Sequence, residues 1–216
     1  SDDFATLMGA RNALRTVKAG FTTVRDLGST PQGGFALREA TAQGLIPGPR
    51  IISSGPAVSI IGGHGDVNGF RPEVAHALDA NNTCTGPVEC AARVREFSKA
   101  GADVIKITAT GGVLSQQGRG LGQHFTDPEL KAIVDTAHSL GLRVAAHAHG
   151  AAGIKAAIKS GIDTIEHASL VDDEGIRLAV QRQPPVWFAM DIYNTDYTQA
   201  EGKKNGVLDD NLRKDR

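Results

Sequence analysis

The sequence lacks a surplus of charge of either sign. Its 23 Lys and Arg residues nearly balance its 24 Asp and Glu residues, and the formal net charge is −1. This balance gives no indication of binding to nucleic acid or to an anionic membrane surface. The sequence also lacks any apolar run of the about 20 residues that a membrane-spanning helix requires. No signal peptide opens the chain, but because the chain begins with Ser1 and not with Met, this absence excludes nothing.

Cysteine is scarce, with two residues in a chain of 216. Cys84 and Cys90 bracket a short segment. In an exported protein this spacing indicates a local disulfide, and in the cytosol it indicates two free thiols. Both interpretations stay open, and we expect the periplasm or the exterior ahead of the cytoplasm. A zinc knuckle is disfavoured, because no second Cys/His pair lies nearby.

Strand-like apolar runs alternate with helical segments along most of the chain. Strands are predicted at residues 21–27, 50–54, 104–110, 143–148, 164–167 and 186–192. Helices are predicted at residues 4–19, 34–43, 87–100, 126–141, 151–160, 172–181 and, in a polar segment, 202–216. Glycine-rich loops are predicted at residues 55–85 and 111–124. This repeat of helix, glycine, strand and loop predicts βαβ units, which require a parallel sheet with helices outside.

The six predicted strands leave two α/β architectures to compare. A (β/α)₈ barrel has eight strands and typically about 250 residues. A doubly wound open sheet would place a glycine-rich phosphate loop after its first strand, and no G-x-G-x-x-G follows residues 21–27. Ionisable residues instead fall at the ends of several strands. We therefore predict an α/β fold of the (β/α)₈ barrel type, one domain over residues 1–216, from which the first and last strands are missing.

Three successive predicted strands carry ionisable residues towards their ends. Lys106 lies in the apolar run VIKITATGG (residues 104–112), His147 and His149 end VAAHAHG (144–150), and His167 lies in TIEHAS (164–169). The carboxyl ends of parallel strands meet at the same end of a barrel, where active sites lie. Imidazoles grouped there are typical ligands of zinc. The pattern predicts a metal site at this end of the sheet.

Lys106 is the most unusual of these residues. Side chains alternate along a strand, so Lys106 faces the same side as Val104 and Thr108, while Ile105 and Ile107 face the helices. A buried ammonium ion is costly without a partner. Lys106 therefore pairs with a carboxylate or extends to solvent, or burial keeps its amine neutral and able to form a carbamate with CO₂. A carbamate is a bidentate anion that can bridge two metal ions.

The histidines differ in their sequence context. Two histidines at consecutive strand ends beside a buried lysine favour metal ligation by His147 and His167 over a place in the core. His149 faces the same side as His147 and is assigned to the substrate, because one histidine per strand end suffices for the metal. His64, in the loop segment GGHGD, is either a solvated loop residue or a part of the site. The histidines without such a context are His76, His124 and His138, of which the last is expected to be exposed on a helix.

Taken together, residues 104–112, 144–150 and 164–173 resemble the amidohydrolase superfamily. More narrowly, the chain resembles its metal-dependent dipeptidase and carboxypeptidase branch, with Xaa-Pro dipeptidases, L-lysine/L-arginine carboxypeptidases and ochratoxin-hydrolysing amidases. The segments GGHGD (62–66) and DIYNTDYTQ (191–199) are similar to those of the lysine/arginine carboxypeptidases. The resemblance runs over essentially the whole chain, and the combination of motifs is specific although each motif alone is weak.

This resemblance implies a binuclear zinc site in a (β/α)₈ barrel. Lys106 would be the carboxylated lysine that bridges the metals, and His147 and His167 would be ligands of the more exposed metal. Catalytic roles would also fall to His64 and His149, which would hold or polarise the carbonyl or carboxylate group of the substrate. The family implies that hydroxide held by the metals attacks the amide carbonyl.

The same resemblance implies the partners. The substrate would be a small amide or dipeptide, and the motif at residues 191–199 makes Asp191 and Tyr193 candidates for substrate binding. Asp191 would pair with the cationic side chain of a C-terminal Lys or Arg. The protein would be a homo-oligomer, as large as an octamer.

The chain departs from the family pattern in two places. The family's first strand carries a His-x-His pair that binds the buried metal, whereas this chain has such a pair only at His147 and His149, on another strand. The family's last strand carries an aspartate that ligates metal and acts as general base, and no strand after residue 192 supplies one. We therefore expect the chain to be the central piece of a larger enzyme and to be inactive or very weak by itself.

Two other functions remain open. The first is hydrolysis of cyclic amides, as in relatives of imidazolonepropionase, which usually work with one metal and no carboxylated lysine; Lys106 argues against it. The second is a metal-free binding module on a degenerate barrel, in which Lys106 merely pairs with a carboxylate. Metal content distinguishes these functions from a binuclear amidase.

Overall fold

Strands and helices alternate along the chain as predicted. The computed structural model describes residues 1–113, 115, 120–191, 194–202, 204–207 and 209–214. The strands are β1 (Thr23–Asp26), β2 (Arg50–Ser53), β3 (Val104–Thr108), β4 (Arg143–Ala148), β5 (Thr164–His167) and β6 (Trp187–Ala189). The helices are α1 (Asp2–Lys18), α2 (Gly33–Ala42), α3 (Pro72–Leu78), α4 (Gly86–Ala100), α5 (Asp127–Ser139), α6 (Ala151–Ser160), α7 (Asp173–Gln181), α8 (Asn194–Glu201) and α9 (Asp209–Lys214).

All strand pairs are parallel and follow the order of the sequence. β1 pairs with β2, and β3 to β6 form a sheet in the order β3-β4-β5-β6. The chain beyond β2 joins the two sheets, because Val58 N donates to Lys106 O at 2.8 Å and Thr108 N donates to Val58 O at 2.9 Å. The six strands therefore lie side by side, and helices return the chain from each of the first five to the start of the next strand.

The row of strands is curled. Arg25 on β1 reaches Glu166 on β5, with Nη2 and Oε2 2.8 Å apart. In a flat sheet these two strands would be separated by four strand spacings, roughly 19 Å, which the two side chains could not bridge. The contact excludes an open doubly wound sheet and identifies an arc of a barrel, with β1 and β5 facing each other across the interior.

A hydrophobic core separates the strands from the helices. Alternate strand residues point into it, among them Ile105, Ile107, Val144 and Ile165, and each of these is fully buried. The helices supply the opposing apolar side chains, including Leu130, Ile133 and Ile154. The predicted outward direction of Ile105 and Ile107 is confirmed, and the remaining face of each strand is left for the barrel interior.

The predicted start of the helix at Thr126 is confirmed as a capping box. Glu129 accepts hydrogen bonds from Thr126 N at 2.8 Å, from Thr126 Oγ1 at 2.9 Å and from Gly86 N at 2.7 Å, and it thereby joins α5 to the start of α4. Burial acts to raise the pKa of Glu129, but together these hydrogen bonds hold that pKa below its ordinary value of 4.5. The charged carboxylate therefore stabilises the fold.

Replacing Glu129 by glutamine should lower the free energy of unfolding at pH 7 by about 1–2 kcal/mol. Because the pKa is lower in the folded state, the carboxylate's contribution is present above the unfolded-state pKa and is lost as pH falls below about 4.5. Denaturant unfolding between pH 3 and pH 7 measures both effects. Asp135→Asn, which removes an exposed carboxylate from the same helix, should change stability by less than about 0.5 kcal/mol. Equal effects of the two substitutions would contradict this role of Glu129.

The secondary structure differs from the predicted one in two segments. α3 lies inside the predicted loop 55–85, where it begins with Pro72 in its first turn and buries no residue. The predicted strand at 186–192 is reduced to the short β6 and is followed by α8.

Cys84 and Cys90 form a disulfide, which ties the end of the long loop to α4. No helix in the described part of the chain is long and apolar enough to cross a membrane.

Candidate metal centre

The predicted site residues lie at the carboxyl ends of β3, β4 and β5. The strand register places Lys106 beside Ala145, and Thr108 beside His147. Lys106 therefore lies one inward-facing position deeper in the barrel than His147. Lys106 and His147 are both buried, yet neither belongs to the hydrophobic core between strands and helices. Both side chains occupy the barrel interior, as the alternation of the two strands predicts.

His167 reaches the same place by a different route. It pairs in register with Ala148, a core residue, so simple alternation along β5 would turn His167 towards the helices. The backbone prevents this, because His167 (φ 74°) and Ala168 (φ 53°) both adopt the left-handed conformation. Non-glycine residues rarely do so, and the cost is of order 1–3 kcal/mol each. The reversal brings the His167 ring to 4.8 Å from the ring of His147, centroid to centroid.

Four histidine rings form one cluster at the barrel mouth. The ring centroids of His147 and His149 are 4.7 Å apart, those of His149 and His167 are 4.9 Å apart and stacked, and His64 stacks on His147 at 4.2 Å. Nitrogens of His147, His149 and His167 all lie within 4.8 Å of one another. Such a group of nitrogen donors fits a divalent metal ion of the zinc type.

Neighbouring groups orient each ring. His149 Nδ1 is 2.8 Å from Ser169 Oγ, and His167 Nδ1 is 2.5 Å from Asp191 Oδ2. These contacts occupy Nδ1 of both rings and leave Nε2 available as a ligand atom, an arrangement common around bound metals. His147 Nε2 is 3.3 Å from Gly111 O, and His64 Nδ1 contacts Ser115 Oγ.

The environment keeps three of these rings uncharged. Burial, and then the charges of His64, His149 and His167, lower the pKa of His147 far below its ordinary value. The pKa of His149 and that of His64 are each lowered to about 4, mainly by burial and in addition by the charge of His167 on His149 and of His124 on His64. A neutral imidazole has the free lone pair that metal ligation requires.

Lys106 carries no partner of its own among the described residues. Its side chain is buried, with 6% of the residue exposed, and no hydrogen bond or ion pair to Nζ is found in that part of the chain. Burial is the main reason that the pKa of Lys106 is lowered to about 8; the charge of Glu166 opposes this shift and the charge of Arg25 adds to it. The amine is therefore far easier to deprotonate than an ordinary lysine.

His64 is held by the loop that follows β2. Its neighbour Gly65 donates from N to Ser59 Oγ at 3.1 Å, and Gly65 O accepts from Asn82 Nδ2 at 2.9 Å. Gly112 is needed beside it, since a Cβ there would lie 2.2 Å from His64 Cε1. Two loops that are distant in sequence therefore close around the ring.

The remaining predicted residues have varied positions. Asp191 lies at the mouth against His167, as expected from its position, whereas Tyr193 lies outside the described residues. His76 is exposed on α3, and His138 is exposed as predicted, with Nε2 2.8 Å from Asp163 Oδ2. His124, which had no context in the sequence, lies close enough to the cluster for its charge to act on His64.

Sequence reasoning missed two charged residues of the interior. Glu166 pairs in register with His147 and faces inward, and Arg25 on β1 holds it across the barrel. The alternation rule applied to β5 would have found Glu166, because it follows the inward-facing Thr164 by two residues. Nothing local in the sequence indicates that Arg25 is its partner.

Comparison with known proteins places the whole chain in one group. The profile of the amidohydrolase family matches residues 1–216. Ochratoxinase from Aspergillus niger is 37% identical over 180 residues, which cover 76% of this chain and 36% of that protein.

Two solved structures are similar in fold. A Xaa-Pro dipeptidase with methionine bound in its active site has a TM-score of 0.88 and 36% identity over 97% of this chain and 52% of its own. A prolidase complexed with N-methylphosphonate-L-proline has a TM-score of 0.86 and 28% identity over 100% of this chain and 53% of its own. The chain thus spans about half the length of these solved relatives and about a third of the ochratoxinase.

Proposed function

The chain belongs to the amidohydrolase family, and from this premise we propose that the protein hydrolyses the amide bond to the C-terminal residue of dipeptides or N-acyl amino acids, using bound zinc. The observation that carries the proposal is the group of His147, His149 and His167, whose nitrogens lie within 4.8 Å of one another beside the buried Lys106. The similar Xaa-Pro dipeptidase and ochratoxinase support the substrate class.

The residues present fit a part of the two-metal centre of an amidase, the part that the central strands would supply. His147 and His167 would hold one zinc ion through their ring nitrogens, and Lys106, as a carbamate, would supply oxygen ligands to the metal centre. Bound zinc supplies Lewis-acid chemistry for hydrolysis at neutral pH.

Two further side chains of this chain can act on the substrate. His149, oriented by Ser169, would face the substrate's carbonyl or carboxylate group. His64 would contact the same group from the opposite loop, where its stack on His147 holds the ring. Because both rings are neutral at pH 7, each can donate one N–H hydrogen bond to a substrate oxygen without repelling a metal ion.

Metal analysis and substrate assays on the full-length protein test this proposal. About two zinc ions per chain, together with release of the C-terminal amino acid from dipeptides or N-acyl amino acids, would support it. About one zinc ion per chain with hydrolysis of cyclic amides would favour the imidazolonepropionase type of reaction. A protein that binds no metal and hydrolyses neither class would be a binding module on this barrel.

We propose that Asp191, in addition to its contact with His167, forms an ion pair with the side chain of a leaving Lys or Arg residue. Asp191→Asn should lower kcat/KM for all dipeptides to some degree, because His167 loses its carboxylate partner. For dipeptides that end in Lys or Arg the loss should be larger by roughly tenfold to a hundredfold, the value of one charge-assisted pair. Dipeptides that end in Met or Leu serve as the comparison. If kcat/KM fell equally for dipeptides that end in Lys, Arg, Met and Leu, Asp191 would only position His167.

A further inference from the structure

A charged network spans the barrel interior below the histidine cluster. Arg25 on β1 donates to both carboxylate oxygens of Glu166 on β5, with Nη1 3.0 Å from Oε1 and Nη2 2.8 Å from Oε2. Thr164 Oγ1 donates to Glu166 Oε1 at 2.6 Å and accepts from Arg25 Nη1 at 3.0 Å. Both oxygens of the carboxylate are therefore engaged, and its side chain is only 10% exposed.

Lys106 lies beside this network and remains outside it. Ala145 on β4 pairs with Lys106 on one side and with Thr164 on the other, so Lys106 is level with Thr164 on the inward face. Glu166 follows Thr164 by two residues on the same inward face, so its carboxylate group lies one inward-facing position nearer the barrel mouth than Lys106. A free carboxylate in this position would be the natural ion-pair partner of a buried lysine.

We propose that Arg25 is a positioning residue: by occupying both oxygens of Glu166, it withholds this carboxylate from Lys106 and leaves Nζ open to carbon dioxide. The inference rests on the proposed function, which requires a carbamate on Lys106. Guanidinium and ammonium compete for one carboxylate, and the planar fork of arginine wins because it forms two parallel charge-assisted hydrogen bonds where lysine offers a single point charge.

The open amine then reacts with dissolved CO₂. The lone pair of Nζ forms the new N–C bond, one C=O π bond of CO₂ opens to place the negative charge on oxygen, and one proton leaves the nitrogen for solvent. An ion pair with Glu166 would occupy Nζ and close it to this addition.

Carbamate content measures the effect directly. The full-length protein is incubated with ¹³C-bicarbonate, with and without added zinc, and the carbamate carbon is observed by ¹³C NMR. Arg25→Met should lower the carbamate signal at least about tenfold, because Glu166 becomes free to pair with Lys106. Arg25→Met combined with Glu166→Gln should restore the signal to within about threefold of wild type, since the competing charge is gone.

A matched control removes another arginine that joins two elements. Arg38 on α2 pairs with Asp103 at 2.7 Å, outside the barrel interior. Arg38→Met should leave the carbamate signal unchanged. Thermal unfolding of all variants shows which are folded. If Arg25→Met does not fold, Arg25→Lys takes its place, because a single ammonium cannot occupy both oxygens of Glu166 and should also lower the carbamate signal.

The outcomes separate this inference from the proposed function. A wild-type protein without a carbamate signal would remove the lysine's proposed role and the inference with it. A wild-type signal that persists in Arg25→Met, or that stays lost in a folded double variant, would overturn the inference and leave the proposed function intact.

Discussion

Lys106→Ala in the full-length protein should abolish binding of the metal pair and lower amide hydrolysis by about 10³-fold. The expected size of the loss follows from the position of the residue, which is buried below the histidine cluster and without a partner among the described residues. Alanine removes the only nitrogen in that position that can carry a carbamate bridge. Zinc content and kcat/KM for a good dipeptide substrate measure the effect.

Chemical rescue makes the test of Lys106 specific. A short carboxylic acid such as acetate or propionate should fill the space left by the side chain and restore part of the bound zinc and part of the activity. Lys155→Ala is the control, because Lys155 pairs with Asp172 and Glu174 away from the site. If Lys106→Ala kept two zinc ions and full activity, the proposed bridging role of Lys106 would be wrong. The alternative interpretation, in which Lys106 only pairs with a carboxylate, would then apply.

The second large effect should distinguish His167 from His149. His167→Asn should weaken zinc binding by at least about 100-fold, because this substitution removes a proposed metal ligand. His149→Asn should keep the zinc content and lower kcat by about 100-fold or more, because the substrate group loses a hydrogen bond that counts in the transition state. Zinc titration and steady-state kinetics on both variants separate the two roles.

His138→Asn serves as the control for both histidine substitutions, since this exposed side chain pairs with Asp163 on the outside of the barrel. It should change neither zinc binding nor turnover. The reverse result, with zinc lost from His149→Asn and retained by His167→Asn, would show that the two assignments must be exchanged. The geometry allows this comparison because all three nitrogens of the group lie within 4.8 Å of one another.

Much of the fold could be predicted because it depends on local periodicity. Each predicted strand is present within the described residues, and the six lie parallel in sequence order. The helix that begins after Thr126 could be placed to the residue because a capping box is a local pattern. The differences fall where composition was the guide: α3 lies inside residues 55–85, whose Gly and Pro content predicted a loop, and α8 lies in a segment for which no element was predicted.

The sequence by itself determined that Lys106 and His147 lie on the inward faces of neighbouring strands. Alternation along β3 and β4 placed Lys106 and His147 on one face, and the parallel connection brought the ends of successive strands together. The tertiary structure alone decided how His167 joins them, since alternation would turn it towards the helices and only a left-handed backbone at His167 and Ala168 reverses it.

Contacts between distant parts of the chain were also decided by the tertiary structure alone. Arg25 and Glu166 are 141 residues apart in the chain, and no periodicity links them; they meet because the curled sheet places β1 opposite β5. His64 likewise reaches His147 only because two loops fold over the barrel mouth. The periodicity of each strand and helix can be found in the sequence, and it predicts the face on which a side chain lies. Contacts across the barrel depend on the closure of the whole sheet and on the conformation of its loops.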